Sequence, residues 1–427
     1  MNYQNKLDFA LKLDDEDPLK RLRSYFFSPQ HNDQDAIYFC GNSLGLQPIR
    51  AQQYINHQFN NWKELAIGAF FKGDDPWINY HKGLTKLIAP VIGAINEEVS
   101  VMNSLTVNLH LLMVSFYKPN SKRFKILMEG GAFPSDQYAV ASQVKFHGFD
   151  VKEAIIEVFP REGEFTLRTE DILQTIHSNG NELALVLFGG INYFTGQFFD
   201  LKAITTAAHG VGAYAGFDLA HAAGNVVLNL HDWEVDFACW CSYKYMNSGP
   251  GGISGIFIHE KHFNDVTLNR FAGWWGYQQE KRFLMEPNFI PDTGAAGWQA
   301  STSPVMLMAL HKAALEIFSE AGGMAVLRAK SEQLTGYLEF LIDEVNKNKG
   351  EQLFTIITPI NKEERGCQLS IVCKYNAKAT FNYLTGNGII GDWREPNVIR
   401  LSPVPLYNSF EQVFEAGQVL AASVDLN

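Results

Sequence analysis

An alternation of short apolar runs with segments of helical spacing, through the middle of the chain, most constrains the fold. Mostly apolar runs of strand length occur at residues 100–102, 123–128, 154–159, 183–188, 211–217 and 235–241. Segments of helical periodicity separate them at 135–146, 170–177 and 201–209. Strands without a polar face, joined by helices, form a mostly parallel sheet that is covered on both sides. The sequence therefore predicts an α/β fold.

A second, smaller unit is predicted toward the C-terminus. A helical pattern begins at Pro304, and it leads to predicted strands at 353–357, 368–373 and 398–401 and predicted helices at 379–384 and 410–421. We expect residues 61–310 to form a large domain that binds the cofactor and residues 311–427 a small C-terminal α/β domain. Residues 1–60 are expected to form an N-terminal segment that packs with the small domain.

Composition excludes several classes of protein. The 427 residues are 46% hydrophobic and 19% charged, which suits a globular chain, and the net charge of −11 argues against nucleic acid as a partner. No apolar run approaches the roughly 20 residues of a membrane span. Residues 1–23 lack the apolar core of a secretory signal, and the five cysteines are odd in number and scattered. We therefore expect a cytoplasmic protein with free thiols.

Two ionisable groups follow buried strands. Asp218 comes directly after the run 211–217, and two residues separate Lys244 from the run 235–241. The ends of such strands are where an α/β sheet presents its chemistry. A lysine there can form an imine with the aldehyde of pyridoxal phosphate (PLP), and a carboxylate can keep the pyridine ring protonated. The alternative for Lys244 is an ion pair with a buried carboxylate, and His221 is either a cofactor contact or a core histidine.

Other residues supply candidate contacts to the phosphate and the ring. Thr106 begins a predicted helix, whose free N–H groups attract anions, although it also fits an ordinary helix cap. Tyr243 offers a further phosphate donor. Phe133 could stack on the pyridine while Asp136 orients nearby groups, although an aromatic residue in such a turn more often belongs to the core.

Arg400, near the end of a predicted strand, could bind a substrate carboxylate, with a structural ion pair as the alternative. A metal centre is not expected, because Cys239, Cys241, Cys367 and Cys373 lack the spacing of zinc ligands and no His-Glu-x-x-His motif occurs. A nicotinamide cofactor is not expected either, since no G-x-G-x-x-G follows the first strand.

The chain resembles the kynureninase family, whose members are PLP enzymes of fold type I, over nearly its whole length. The matching segments are FCGNSLGLQP at 39–48, MNSLTVN at 102–108, FPSD at 133–136, YFTGQ at 193–197, GFDLAHAAG at 216–224, HDW at 231–233, ACWCSYKY at 238–245, GWWG at 273–276 and PVPLYNSF at 403–410. Several of these segments are long and unusual, and they share their order along the chain with the family.

The resemblance implies hydrolysis of L-kynurenine to anthranilate and L-alanine, in tryptophan catabolism or NAD biosynthesis, by a cytoplasmic homodimer. It implies Lys244 as the imine lysine, Asp218 as the partner of the ring nitrogen and Tyr243 as a proton relay or only a phosphate anchor. Further cofactor contacts are implied for Leu105, Thr106, Phe133, Pro134, Ser135, Asp136, Gly189, His221, Trp274 and Thr302. Arg400, Ser43 and Phe70 are implied to contact the substrate.

This chain departs from the family at three positions. A serine that often contacts the cofactor is replaced by Gly189, which puts one hydrogen bond in doubt. Members that favour 3-hydroxykynurenine carry a histidine and an asparagine near the substrate ring, where this chain has Phe70 and Thr302. An apolar pocket discriminates weakly, so we expect a modest preference for plain kynurenine. The alternatives are a related aminotransferase, a cysteine-desulfurase-like lyase, or a binding protein that captures the cofactor without catalysis.

Overall fold

The structure is a computed structural model that describes residues 2–424. Its α-helices are α1 Leu7–Glu16, α2 Ala51–Leu65, α3 Tyr80–Ile92, α4 Leu105–Phe116, α5 Pro134–Phe146, α6 Val151–Ala154, α7 Thr169–Asn179, α8 Leu201–Gly210, α9 Val305–Glu320, α10 Met324–Lys349, α11 Ala377–Gly386 and α12 Phe410–Ser423. Its strands are β1 Gln30–His31, β2 Gln34–Asp35, β3 Ile37–Tyr38, β4 Val99–Val101, β5 Lys125–Glu129, β6 Ile155–Val158, β7 Leu183–Gly189, β8 Tyr214–Asp218, β9 Phe237–Trp240, β10 Gly255–Ile258, β11 Phe354–Ile356, β12 Leu369–Cys373, β13 Ile389–Ile390, β14 Asp392–Arg394 and β15 Val398–Leu401.

The large sheet has seven strands in the order β4-β10-β9-β8-β7-β5-β6. Strands β6, β5, β7, β8 and β9 are parallel, whereas β10 runs antiparallel to both of its neighbours, β9 and β4. The predicted α/β fold with a mostly parallel central sheet is therefore confirmed. Parallel neighbours bring the carboxyl ends of β5, β7 and β8 to one edge of the sheet, where they end at Glu129, Gly189 and Asp218.

Alternate residues of these strands enter two separate cores, as the period of two in a strand requires. On β7, Val186 and Phe188 pack in one cluster, whereas Leu185 and Leu187 pack in the cluster on the opposite face. All four side chains are buried. This burial on both sides explains why the strands appear as continuous apolar runs in the sequence. No helix within residues 2–424 is long and apolar enough to cross a bilayer.

The C-terminal part contains a second, antiparallel sheet in the order β11-β12-β15-β14. Helices α10 and α12 pack on each other and share a hydrophobic cluster with this sheet. Helix α12 begins at a capping box, in which the Ser409 hydroxyl accepts a hydrogen bond from the backbone N–H of Gln412 at 3.1 Å. This unit supplies the smaller α/β layer of the predicted fold.

The N-terminal residues contact the C-terminal part of the chain through a separate two-stranded sheet, and they also contact the segment that follows β9. Strand β3 pairs in parallel with β13, and Phe39 donates a backbone hydrogen bond to Ile390 at 2.8 Å. Six residues later, the N–H of Gly45 donates to the carbonyl of Tyr243 at 2.8 Å. The predicted domain boundary at residues 310 and 311 falls within α9, which packs on α2 and α3. The domain limits themselves stay a prediction.

Candidate active site

A cavity of about 160 Å³ opens where β5, β7 and β8 end. The described residues that line it are Leu105, Thr106, Glu129, Phe133, Ser135, Asp136, Gly189, Ile191, Tyr193, Asp218, Ala220, His221, Cys241, Tyr243 and Lys244. Ten of these were predicted from the sequence as site residues. The fold therefore brings together groups that are separated by up to 139 positions, from Leu105 to Lys244, along the chain.

The amine of Lys244 lies at the centre of the polar contacts. Its Nζ atom is 3.1 Å from Nε2 of His221 and 5.9 Å from the centroid of the Phe133 ring. Burial and the charge of Lys244 hold the pKa of His221 well below its ordinary value, so the imidazole is neutral and can accept a hydrogen bond from the lysine. The other ring nitrogen, Nδ1, is buried and has no hydrogen-bond partner among residues 2–424.

Asp218 and Asp136 form a buried carboxyl pair in the lining of the cavity. Oδ1 of Asp218 accepts a hydrogen bond from the backbone N–H of Ala220 at 2.7 Å, and the two carboxyl groups are themselves hydrogen-bonded. Burial and the neighbouring Asp218 hold the pKa of Asp136 well above its ordinary value, and burial also raises that of Asp218. The pair therefore retains a proton until a cation, such as a protonated ring nitrogen, replaces it.

A third carboxyl group, Glu129, was not predicted. It ends β5, is 4% exposed, and accepts a hydrogen bond from Nδ2 of Asn192 at 2.9 Å. Burial raises the pKa of Glu129 to about 7. A Cβ atom added to Gly189 would lie 2.7 Å from Oε1 of Glu129, so this carboxyl group fills the space beside the glycine. Glu129 comes at the end of an apolar run just as Asp218 does, so the same sequence pattern could have identified it as a site residue.

Two helices begin at the cavity. Thr106 lies in the first turn of α4 and Ser135 in the first turn of α5, and their hydroxyl oxygens are 2.8 Å apart. Helix N-termini carry free N–H groups and partial positive charge, which bind phosphate. Two hydroxyl groups and two helix starts therefore make a site for a phosphate group.

Tyr243 and Phe133 complete the walls. The hydroxyl of Tyr243 is hydrogen-bonded to the Cys241 thiol, and burial raises its pKa above the ordinary value. The phenol is therefore protonated at neutral pH and can donate. Phe133 is 45% exposed although it is aromatic, and its ring packs edge to face with that of Tyr193, with the ring centroids 5.3 Å apart. An aromatic face left open to a cavity suits stacking on a flat ring.

The predicted substrate residues lie outside the lining of this cavity. Arg400 is fully buried, and it donates to the backbone carbonyl of Tyr193 and to Oδ2 of Asp392. The hydroxyl of Ser43 donates to the same oxygen of Asp392. Arg400 thus contacts the backbone of a cavity residue and also makes an ion pair with Asp392, which is the alternative that the sequence left open for it.

Four further predicted residues are not brought into the cavity lining within one chain. Pro134 is the first residue of α5, between two lining residues. Phe70 packs on Trp77 with ring centroids 5.3 Å apart. Trp274 is 47% exposed and Thr302 is also exposed, as expected if both contact a neighbouring subunit. Their roles stay predictions.

One group outside the cavity has the composition of a metal site. Glu98, His231 and His259 place one potential ligand atom each within 4.8 Å of one another. The carboxylate of Glu98 already accepts hydrogen bonds from His231 and from the backbone N–H groups of Ile95 and Glu260. We therefore interpret this group as a structural hydrogen-bond cluster.

The cavity fits PLP group by group. The helix starts match a phosphate, the Asp218 and Asp136 pair matches a ring N–H, and Lys244 matches an aldehyde. Phe133 offers a stacking face. Oδ1 of Asp136 and Nδ1 of His221 are buried without hydrogen-bond partners in the described part of the chain, as is expected of atoms that bind polar groups of a ligand. This donor set suits PLP.

Comparison with solved structures defines the class of fold. The chain superposes on an apo cysteine desulfurase from Thermococcus onnurineus NA1 with a TM-score of 0.76 and 17% identity, over 96% of this chain and 98% of that one. A mutant of C-DES with glycine covalently linked to its PLP cofactor gives a TM-score of 0.74 and 16% identity, over 90% and 96% of the two chains. The fold is that of the PLP-dependent enzymes related to cysteine desulfurase.

Curated sequences narrow the class to one family. The kynureninase of Flavobacterium psychrophilum is 54% identical over 425 residues, which are 99% of each chain. That of Nematostella vectensis is 49% identical over 97% of this chain and 93% of its own length. The model of the kynureninase C-terminal domain matches residues 327–420. The chain belongs to the kynureninase family, and the predicted resemblance is confirmed.

Proposed function

We propose that this protein is a PLP-dependent kynureninase, which hydrolyses the Cβ–Cγ bond of L-kynurenine to give anthranilate and L-alanine. One observation carries the proposal: Lys244 contacts neutral His221 and lies near the Phe133 ring, in a cavity that is also lined by the Asp218 and Asp136 pair. The full-length kynureninase relatives support the substrate. The desulfurase neighbours share the fold at only 16–17% identity, so they do not favour their own chemistry.

Each residue of the cavity has a role that follows from the part of the coenzyme it would contact. PLP, when bound, supplies an electron-withdrawing ring that stabilises negative charge on the substrate. Asp218 keeps the ring nitrogen protonated, because its buried carboxylate needs a cation. Thr106, Ser135 and the starts of α4 and α5 hold the phosphate. Lys244 would hold the coenzyme covalently, and its free amine could accept the proton from the substrate's α-carbon.

The function is tested by incubating the purified holoenzyme with L-kynurenine and following anthranilate fluorescence, with no keto acid added. Anthranilate should appear without an acceptor, which separates a hydrolase from an aminotransferase. Replacement of L-kynurenine by L-cysteine, with sulfide as the readout, tests the desulfurase alternative. Release of sulfide without anthranilate would reject the proposal.

Lys244→Ala provides the internal control. The variant should lose the visible absorbance of covalently bound coenzyme and slow turnover by about 10²- to 10⁴-fold or more. Retention of both the absorbance and the turnover would show that the amine of Lys244 is not the reacting group.

The ring of the substrate is the basis for a finer proposal. The Phe70 ring packs edge-on against Trp77 and Trp275, with ring centroids 5.3 Å and 6.3 Å apart, which gives an apolar surface at this position. We therefore expect kcat/KM for L-kynurenine to exceed that for 3-hydroxykynurenine by a modest factor. Measuring kcat/KM for both substrates on the same preparation tests this preference. A clear preference for the hydroxylated substrate would contradict the role of Phe70.

We further propose a homodimer that works in the cytoplasm, in tryptophan catabolism or NAD biosynthesis. The aromatic patch, which we define as Phe71, Trp274, Phe283, Leu284 and Met285, supports the dimer, because each of its side chains is between 47% and 67% exposed. Trp274 and Thr302 would then contact the coenzyme of the neighbouring subunit. The five unpaired cysteines suit a reducing compartment.

A further inference from the structure

A cluster of two arginines and one aspartate lies behind the cavity. Oδ2 of Asp392 accepts hydrogen bonds from Arg400 and, at 3.2 Å, from Nη2 of Arg394. Arg400 also donates to the carbonyl of Tyr193, and the Arg394 guanidinium lies 5.9 Å from the centroid of the Tyr193 ring. Tyr193 lines the cavity. Both guanidinium groups therefore stand against the same wall of the active site.

The cluster carries one unbalanced positive charge, since two guanidinium groups face one carboxylate. The Nε atoms of Arg394 and Arg400 are buried, and neither has an acceptor within residues 2–424. Arg400 is fully buried and Asp392 is largely so, whereas the side chain of Arg394 is 36% exposed. Buried donors without acceptors are unfavourable. The cluster therefore offers two buried N–H groups, unpaired within the described residues, and one excess positive charge to an anionic group.

The two arginines also act on the reacting centre. Burial, then the charge of Lys244, and then those of Arg400 and Arg394 hold the pKa of His221 below its ordinary value. His221 is in contact with Lys244. Arg394 is thus close enough to influence the site electrostatically, although it is six residues from Arg400 on a neighbouring strand.

We propose that Arg394 is a second substrate-binding residue, which shares the α-carboxylate of the substrate with Arg400 while Asp392 holds the two guanidinium groups together. The inference builds on the proposed function, in which the substrate is an α-amino acid. A carboxylate brings the charge of the cluster to zero and provides acceptors for its free N–H groups. An amine that lacks the carboxylate does neither, so Arg394 contributes to the preference for amino acids over amines.

The test compares two ligands of the holoenzyme, L-kynurenine and kynuramine, which is the same amino ketone without the carboxylate. Binding is followed through the change in coenzyme absorbance. Arg394→Met should weaken L-kynurenine binding by about tenfold to a hundredfold and leave kynuramine binding essentially unchanged. Arg161→Met is the matched control, because Arg161 is an exposed arginine paired with Asp171, and it should change neither affinity.

Equal weakening of both ligands, or of neither, would overturn the role of Arg394. If Arg394→Met does not fold, Arg394→Lys provides the same comparison, because it keeps the charge but loses the paired N–H groups. Unchanged L-kynurenine binding in that variant would also overturn the inference. In each of these cases, anthranilate formation by the wild type leaves the proposed function intact, whereas its absence rejects that function directly.

Discussion

Single residues set the charge of the cavity. Its wall contains three carboxyl groups, Glu129, Asp136 and Asp218, and one amine, Lys244. Full ionisation of all three carboxyl groups would bury two uncompensated negative charges, so protons are retained instead. Burial raises the pKa of Glu129 to about 7 and holds that of Asp136 well above its ordinary value. The charge of the cavity therefore changes within the physiological pH range.

Glu129→Gln should alter the pH dependence of stability in the coenzyme-free protein. Glu129 holds its proton up to about pH 7 when folded, but releases it near 4.5 when unfolded. The folded state binds more protons between these values, so the contribution of Glu129 to the free energy of unfolding falls as the pH rises from 4.5 to 7. Glutamine does not titrate and so removes this loss. We expect the free energy of unfolding of the variant, relative to that of the wild type, to be higher by about 1–3 kcal/mol at pH 8 than at about pH 5.

Urea unfolding at the two pH values measures this difference. Glu153→Gln, on the exposed side of α6, is the control and should follow the wild type at both. A Glu129→Gln variant whose stability relative to wild type is the same at both pH values would show that Glu129 is ionised throughout.

Tyr243→Phe separates the two roles that the sequence left open. Because its pKa is raised by burial, the phenol keeps a proton to donate. If Tyr243 relays a proton, the variant should retain its coenzyme and lose about 10²- to 10⁴-fold in kcat. Parallel measurement of kcat and coenzyme content checks this. Full kcat with normal coenzyme content would contradict the relay, and loss of coenzyme alone would indicate a phosphate anchor.

Site residues could be predicted where the sequence immediately before them identified the end of a buried strand. Asp218 and Lys244 follow continuous apolar runs, and charge at the end of a buried strand points to a site. Asp392 and Arg394 gave no such signal, because their importance comes from Arg400, which the antiparallel pairing of β14 and β15 places opposite Asp392. Side-chain partners across a hairpin are a property of the register and not of local sequence.

At the level of elements, the starts of α4 and α5 meet around the expected phosphate. Ser135→Ala should weaken the affinity of the coenzyme-free protein for PLP by about tenfold, since one hydrogen bond to a charged group is lost. Affinity for pyridoxal, which has no phosphate, should stay the same. Fluorescence titration with the two ligands measures the difference.

Ser142→Ala lies on the same helix and serves as the control, because the Ser142 hydroxyl donates to the carbonyl of Ala139 away from the helix start. A Ser135→Ala variant that loses affinity equally for PLP and pyridoxal would place the phosphate elsewhere.

Helices and strands with a clear hydrophobic pattern were predicted from the sequence, whereas elements that depend on contacts with distant parts of the chain were not. The parallel strands were predicted within one to three residues at most ends, because both faces are buried. Strand β10 was missed, since its four residues follow a glycine-rich turn and run against their neighbours. The helical pattern after Pro304 divides into α9 and α10 at Gly322 and Gly323, whose φ angles of 87° and 88° end a helix.

At the scale of the whole molecule, the aromatic patch predicts the assembly. Phe71 and Phe283 are 5.8 Å apart, Phe283 and Trp274 are 5.6 Å apart, and all three are about half exposed. Phe71→Glu should convert a dimer into a monomer at micromolar concentration, because a buried, unpaired carboxylate costs several kcal/mol. Sedimentation equilibrium measures the change.

Phe146→Glu is the control, since Phe146 is 74% exposed at the end of α5 and lies outside the aromatic patch. It should leave the assembly unchanged. A wild-type protein that sediments as a monomer would contradict the dimer, and with it the expectation that Trp274 and Thr302 complete a neighbouring site. Sequence patterns cannot reveal such an arrangement, because core and interface aromatic residues look alike along the chain.

The short stretch between β3 and Gly45 has a practical consequence for anyone who trims or tags this enzyme. At one end it pairs with β13 in a separate two-stranded sheet, and at the other Gly45 donates a hydrogen bond to the backbone carbonyl of Tyr243, next to the reactive amine. A Cβ on Gly45 would collide with the carbonyl of Lys244. We therefore expect that a deletion of the N-terminal residues through Gly45 would destabilise the segment around Lys244. We expect a tag at the exposed end of α5 to be tolerated.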